Sequence, residues 1–360
     1  MNATRAAVDL DDGEGLLAAD REGLLRAASM AGAQVRATAA ALEEGDLDPL
    51  KSDAPPRTVV WVAGRGNAET AGAMLSATLG ASASAPMVVA SEVPPWIGAL
   101  DVLVLAGDDP GDPALVSAAA TGVRRGARIA VVAPYEGPLR DATAGRSVSL
   151  APRLRVRDDF GLVRYLAAGL AVVQVVDPGL RVDLAALADE LDAEAFRNSA
   201  GRELFTNPAK TLADRMSGRD VVFAGDNAAT LALARHAAAI MLRIAHQTVA
   251  AVGLADALVA LHTGMGADRE QSIFHDEQID GPLPRRVRTF VFATDAERPA
   301  VAARVSGLVD VDVINAEDVP EMSDAPEVAV APATGRPEQQ LAMLAVRLEM
   351  TATYLRLVRG

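Results

Sequence analysis

The chain has 360 residues, a formal net charge of −14, 50% hydrophobic and 23% charged residues, and no cysteine. That is apolar material for about two cores; it excludes disulfides, thiolate metal ligands and cysteine nucleophiles, and the acidic balance opposes nucleic acid or an anionic membrane as partner, because both need a dense basic face. Arg243, His246, Gln247 and Asp256 break the most apolar region before it reaches the roughly 18 residues of a membrane helix, and MNATRAAVDLDDGEG lacks a signal peptide's basic and apolar regions, so a cytoplasmic location is expected.

Apolar residues at helical spacing (Leu16, Leu17, Leu24, Leu25, Ala28, Met30, Ala33, Val35, Ala39, Leu42) predict one or two amphipathic helices that pack on a domain or a partner. EEGDLDPLKSDAPP then reads as a linker, so that 1–50 form an N-terminal helical segment. From Arg57 the pattern is α/β: a strand over 58–63, a helix over 68–79, a short strand over 87–90 and a strand over 102–106. In GDDPGDP, Asp112 is placed as an N-cap with Pro113 at the first helical position. That helix ends at Gly126, and the strand ARIAVVA follows. Strands alternating with helices imply a parallel sheet, here a first lobe over 51–153, with its ligand site beyond the carboxyl ends of the strands.

Residues 154–176 are again apolar and helical, and with the acidic run to Phe196 they form a helical bridge over 154–200. A second lobe over 201–360 opens at NPAKTLADRM, continues through a strand over 220–224 and an Ala-rich helix expected to run from 228 to about 252, then the strands RVRTFVFAT and VDVDVINA, and closes on the helix PEQQLAMLAVRLEMTATYLRL.

One motif occurs twice: VVWVAGRGNAET at 59–70 and VVFAGDNAAT at 221–230. Each is a buried strand, a Gly-containing turn with Asn close behind, and a helix start. Gly64, Gly66 and Gly225 fall where the turn is tightest. Unpaired N–H groups at such a corner can hold an anionic group with the help of the helix dipole; an ordinary strand-to-helix turn has the same composition. Four histidines, His236, His246, His262 and His275, leave little for a metal cluster, and His236 and His246 lack the i, i+4 spacing of a zinc pair. No metal and no cofactor is expected.

In order along nearly the whole chain, AGRGNAETAG, LDVLVLAGDDPGDPALVSAAATGVRRGARIAVVA, RDDFGLVRYL, NPAKTLA and ATYLRL resemble the SIS (sugar isomerase) domain proteins. Within them the chain is most similar to the bifunctional phosphoglucose/phosphomannose isomerase branch, and there to a divergent actinobacterial, TobH-like subgroup associated with mannose-phosphate metabolism. The resemblance implies two SIS-like lobes, each a parallel sheet flanked by helices, a homodimer, and a site for a sugar phosphate or other carbohydrate derivative at Gly64, Arg65, Gly66, Asn67, Gly107, Asp108, Arg157, Gly225 and Asn227.

The chain departs from that pattern where the chemistry lies. A Ser/Thr-rich phosphate loop in the family reads AGDDPGDP here, and Asp108, Asp109 and Asp112 repel a dianion and, ionised, donate no hydrogen bond; turn and helix-cap chemistry is the other reading of these residues. The family's isomerisation uses a Glu base on the second-lobe helix, whereas Leu242 stands near that position and no Glu lies between Glu203 and Glu270. The family's PExxHN, whose His helps open the sugar ring, is replaced by GLADALVALHTGMG, and its late Lys lies past Gly360. Arg157 matches the active-site Arg, though an ion pair with Asp158 or Asp159 is equally open. Arg157 and His246 are therefore the candidate catalytic residues, with Asp226, Asp256, His262 and Asp276 as further acids and bases. The expected function is a catalytically degenerate SIS protein that binds a carbohydrate derivative or serves as partner of an enzyme of mannose metabolism; the alternative is an active isomerase of mannose or glucose 6-phosphate and fructose 6-phosphate.

Overall fold

The structure is a computed structural model, and it describes residues 8–63, 65–265, 286–317 and 336–359. In chain order its elements are α1 (Gly13–Ala19), α2 (Leu24–Ala28), α3 (Ala31–Glu43), β1 (Val59–Val62), α4 (Gly66–Leu79), β2 (Met87–Ala90), β3 (Val102–Ala106), α5 (Pro113–Arg125), β4 (Arg128–Val132), α6 (Gly137–Thr143), β5 (Ser147–Ser149), α7 (Leu162–Val176) and α8 (Leu184–Arg197). They continue with α9 (Pro208–Met216), β6 (Asp220–Gly225), α10 (Ala228–Arg243), β7 (Ala250–Gly253), α11 (Leu254–His262), β8 (Val287–Phe292), α12 (Arg298–Val305), β9 (Val311–Ile314) and α13 (Pro337–Arg359). Two compact units divide them, one of Gly23–Phe196 and Pro337–Val346, the other of Met1–Glu22, Arg197–Arg336 and Arg347–Gly360.

The first unit holds a five-stranded sheet of order β2-β1-β3-β4-β5, parallel throughout. The second holds a four-stranded parallel sheet of order β7-β6-β8-β9. In both, the lobe's first strand lies inside, between the second and the third, so the repeated motif is a repeated topology. Helices cover both faces of such sheets, which is why β1 and β3 are buried along their whole length and read as unbroken apolar runs.

Trp61 on β1 joins three elements of the first unit. It is fully buried, and its Nε1 donates to the Ala68 carbonyl of α4 at 2.9 Å. Its ring lies where a side chain at Gly72 of α4 or Gly169 of α7 would stand: a Cβ at either position meets the indole, and at Gly169 it also meets Leu75. Two glycines thus let two helices close on one indole. α3 packs on α7 as well, and Gln34 donates to the Phe160 carbonyl at 3.0 Å.

Helix limits follow the expected signals where a cap residue makes them. Asp112 accepts from the Ala114 N–H with Pro113 at the first position, and α5 ends at Gly126 in the left-handed region (φ 75°), with Ala127 N–H returning to the Gly122 carbonyl. Three expectations need correction. The N-terminal segment forms three helices rather than one or two: Gly23 (φ 66°) separates α1 from α2, and a second break at Ser29 and Met30 separates α2 from α3. The bridge helix starts at Leu162, because 158–160 form a single 3-10 turn. The Ala-rich helix ends at Arg243: His246 takes φ 53°, Gln247 N–H closes on the Met241 carbonyl, and 250–253 become β7.

Asp101 anchors the start of β3. It is fully buried and accepts from Arg57 Nε at 2.9 Å, Thr58 Oγ1 at 2.7 Å and Gly98 N–H at 2.8 Å. Burial pushes its carboxyl up, but those hydrogen bonds outweigh burial and hold it below the usual carboxylate range. A folded value below the unfolded one gives stability that is present above the unfolded pKa and is lost as pH falls through the folded one. Urea titrations between pH 7 and pH 3 are therefore expected to show a shallower acid limb for Asp101→Asn than for the parent.

Candidate functional site

In an open parallel sheet the crevice lies where the strand order reverses. In the first unit that point falls between β1 and β3, beyond their carboxyl ends, where the loops 63–66 and 107–112 emerge. Three of the sequence-predicted ligand residues described there, Arg65, Gly107 and Asp108, come from these two loops, and two, Gly66 and Asn67, from the start of α4. Gly66 opens α4 at φ 67° with open space where a Cβ would stand; Gly64 lies outside the described residues.

α4 begins at the crevice with no side-chain cap, so its first N–H groups keep their hydrogen-bonding capacity and the positive end of the dipole. Asn67, the residue that could have capped it, is buried and turned away. Its Nδ2 donates to the carbonyls of Asp158 at 2.7 Å and Asp159 at 3.2 Å. Arg157, two residues from Asp159, reaches that carboxylate at 3.1 Å and is exposed. Asn67 and Arg157 are thus brought to one neighbourhood through the turn at 158–160.

The equivalent corner of the second unit is filled by its own side chains. Asn227 accepts from the N–H groups of Ala229 and Thr230 in a capping box, its amide reaches Glu297, and Asp226 pairs with Arg304. A Cβ on Gly225 would stand inside van der Waals contact of the Thr230 and Leu231 backbone. Close packing of strand end against helix start therefore requires glycine at 225 whether or not a ligand comes there.

The loop after β3 carries the interaction that the sequence did not announce. Asp108 Oδ1 accepts from Arg164 at 2.8 Å and from the Tyr165 hydroxyl. Both donors sit in the first turn of α7. Tyr165 is fully buried, and burial pushes its phenol well above the ordinary value, so it acts as donor. The Arg164 guanidinium stacks 4.1 Å from the Tyr165 ring centroid, its side chain is 13% exposed, and its second terminal nitrogen is buried without a hydrogen-bond partner. Asp109 and Asp112 serve local turns through the N–H groups of Gly111 and Ala114.

The candidate acids and bases of the second unit are dispersed. His246 is exposed, with Nδ1 3.1 Å from Arg356; His262 bonds the Leu258 carbonyl of its own helix at 2.7 Å; Asp256 is exposed in the first turn of α11. Leu242 is 57% exposed. Asp276 and His275 lie outside the described residues. His236 is buried against Glu349 at 3.2 Å. Among the described residues no three His, Asp or Glu side chains gather as metal ligands, and no helix is long and apolar enough to cross a membrane.

No protein-family model matches the sequence, and no curated protein matches it. Solved structures do. The tagatose-6-phosphate ketose/aldose isomerase of Escherichia coli is similar over 99% of this chain and 95% of its own, with a TM-score of 0.61 and 13% identity. The C-terminal domain of glucosamine-fructose-6-phosphate aminotransferase from Francisella tularensis matches over 96% of each chain, with a TM-score of 0.59 and 10% identity. A glucose-6-phosphate isomerase like protein from Thermus thermophilus matches over 98% of this chain and 94% of its own, with a TM-score of 0.53 and 19% identity. Two parallel sheets flanked by helices, wound as in these phosphosugar enzymes, make the chain an α/β protein of the SIS fold.

Proposed function

We propose that the protein binds a carbohydrate derivative in the crevice between β1 and β3 and does not isomerise it. The observation that carries this reading is the contrast between the two corners: α4 meets its crevice uncapped, whereas α10 is capped by Asn227. Free N–H donors at a switch point suit the oxygen-rich face of a sugar or an acidic substituent on it. Gly66, Arg65 and Gly107 would line the ligand, and Asn67 and Arg157 would support it. Loss of catalysis is supported by Leu242, an exposed leucine near the position where the resemblance calls for a carboxylate base. In this reading the chain is organised as the 51–153 and 201–360 lobes with their 154–200 bridge, works as a homodimer in the cytoplasm, and serves an enzyme of mannose metabolism as a ligand-dependent partner.

A second reading, an active isomerase of fructose 6-phosphate with relocated residues, is favoured by His246. It is an exposed imidazole on a left-handed, non-glycine backbone, a conformation often kept at functional sites. One experiment separates the two. Protein from a host lacking phosphoglucose and phosphomannose isomerases is incubated with fructose 6-phosphate, and separately with mannose, and followed by phosphorus NMR and by saturation transfer to the sugar protons. Saturation transfer without new phosphate resonances is the expected result. Glucose or mannose 6-phosphate signals that scale with protein would establish the isomerase, and no transfer to either sugar would overturn the binding reading.

A further inference from the structure

We infer that Asp108 is a built-in counter-ion: its carboxylate occupies an anion subsite made by Arg164 and Tyr165, and thereby keeps a phosphate group out of it. The subsite has the features of one made for an anion. Its cation is a guanidinium with a side chain only 13% exposed, clamped face-on to the Tyr165 ring at 4.1 Å. A fully buried phenol supplies a second donor. Both point to one oxygen, Asp108 Oδ1, at the carboxyl end of β3, where the crevice opens.

The match is incomplete in a telling way. A guanidinium fork suits two oxygens of one anion, yet only one terminal nitrogen of Arg164 is used, and the other is buried without a partner. Asp108 brings one oxygen to the donors, while its side chain keeps 35% exposure. A tetrahedral oxyanion, with more oxygens and more charge, could use both nitrogens and the phenol, but it would have to displace a carboxylate that is covalently attached. A dianion beside that carboxylate is also repelled by it. The crevice therefore selects for sugar derivatives that present no phosphate to this corner, and it is one substitution away from accepting one.

This rests on the reading of the crevice as the ligand site, but its test uses inorganic phosphate and no sugar, so either can fail alone. Phosphate binding to the full chain is measured by phosphorus line broadening and calorimetry for the parent, Asp108→Ser and Asp108→Ser/Arg164→Gln. Asp108→Ser is expected to bind phosphate at least about tenfold more tightly than the parent, and the double variant is expected to fall back to the parent level. Asp108→Asn, which keeps the shape and an accepting oxygen but not the charge, guards against a folding defect in the serine variant and should lie between the parent and Asp108→Ser. Folded Asp108→Ser and Asp108→Asn proteins that bind phosphate no better than the parent would overturn the inference, as would a double variant that retains the gain.

Discussion

Replacing Trp61 by alanine is expected to lower the stability of the protein by about 4 kcal/mol, the scale for truncating a fully buried aromatic side chain. The size of the effect follows from what the indole holds. It contacts β1, α4 and α7 at once, and the two helices can approach it only because residues 72 and 169 carry no side chain. Truncation leaves a cavity between three rigid elements that cannot collapse onto it, and it removes the indole's hydrogen bond to the Ala68 carbonyl. The reciprocal change, Gly169→Val, should be comparably harmful, because its side chain would have to displace both Trp61 and Leu75. Equilibrium urea unfolding of Trp61→Phe and Trp61→Ala checks the claim. Phenylalanine keeps most of the volume but not the hydrogen bond, so it should cost about half as much.

In the second unit the largest effect is expected at Gly225. There a methyl group meets backbone, the carbonyl carbon of Thr230 and the nitrogen of Leu231, rather than a flexible side chain that could move aside. Gly225→Ala should cost about 3 kcal/mol by overpacking, and Gly225→Val more. The alternative explanation for a glycine at this turn, room for a ligand, makes a different forecast: near-normal stability with impaired binding. A thermal melt of Gly225→Ala beside that of Gly66→Ala discriminates the two. At Gly66 a Cβ meets nothing, and only the positive φ is penalised, by about 1 kcal/mol.

How far the molecule could be read in advance depends on the range of the interactions that decide it. Local signals were enough for the strand–turn–helix repeat, because a buried parallel strand is a run of apolar residues and a cap is one residue with one chemistry. Asp112, Pro113 and Gly126 mark α5 this way. α10 stops short of the expected 252 because His246 takes the left-handed region, a position where a sequence signal would be glycine or asparagine. The site was harder still. Asp108 could be seen as an acidic residue in a phosphate-loop position, but the charge that answers it is 56 residues away. Arg157, the arginine the resemblance selected, makes the ion pair with its neighbour Asp159 that its sequence context also allowed. The one available signal was the adjacent Arg164–Tyr165 pair in RDDFGLVRYL, a cation and a phenol on an otherwise apolar helix. Gly225 shows the converse case: a motif glycine whose requirement is met by packing of its own backbone.

The order in which the chain is made gives the second unit's composition a further meaning. Its residues come from the start, the latter half and the last stretch of the sequence, and the contacts that join them are specific: Tyr354 donates to the Asn198 carbonyl at 2.6 Å, Arg347 to the carbonyls of Asn315 and Ala316 at 2.8 Å each, and Arg356 lies 3.9 Å from Glu22. None of these can form until the segment 347–359 has left the ribosome. The first unit takes residues 23–196 early and in one piece, with only 337–346 to follow. Synthesis therefore yields a nearly complete β2-β1-β3-β4-β5 layer before the β6-bearing unit has gained the contacts to Asn198, Asn315, Ala316 and His236 that the segment 347–359 brings. The second unit is therefore expected to complete its packing after the first, and the half-packed chain of that interval is the species most exposed to misassembly.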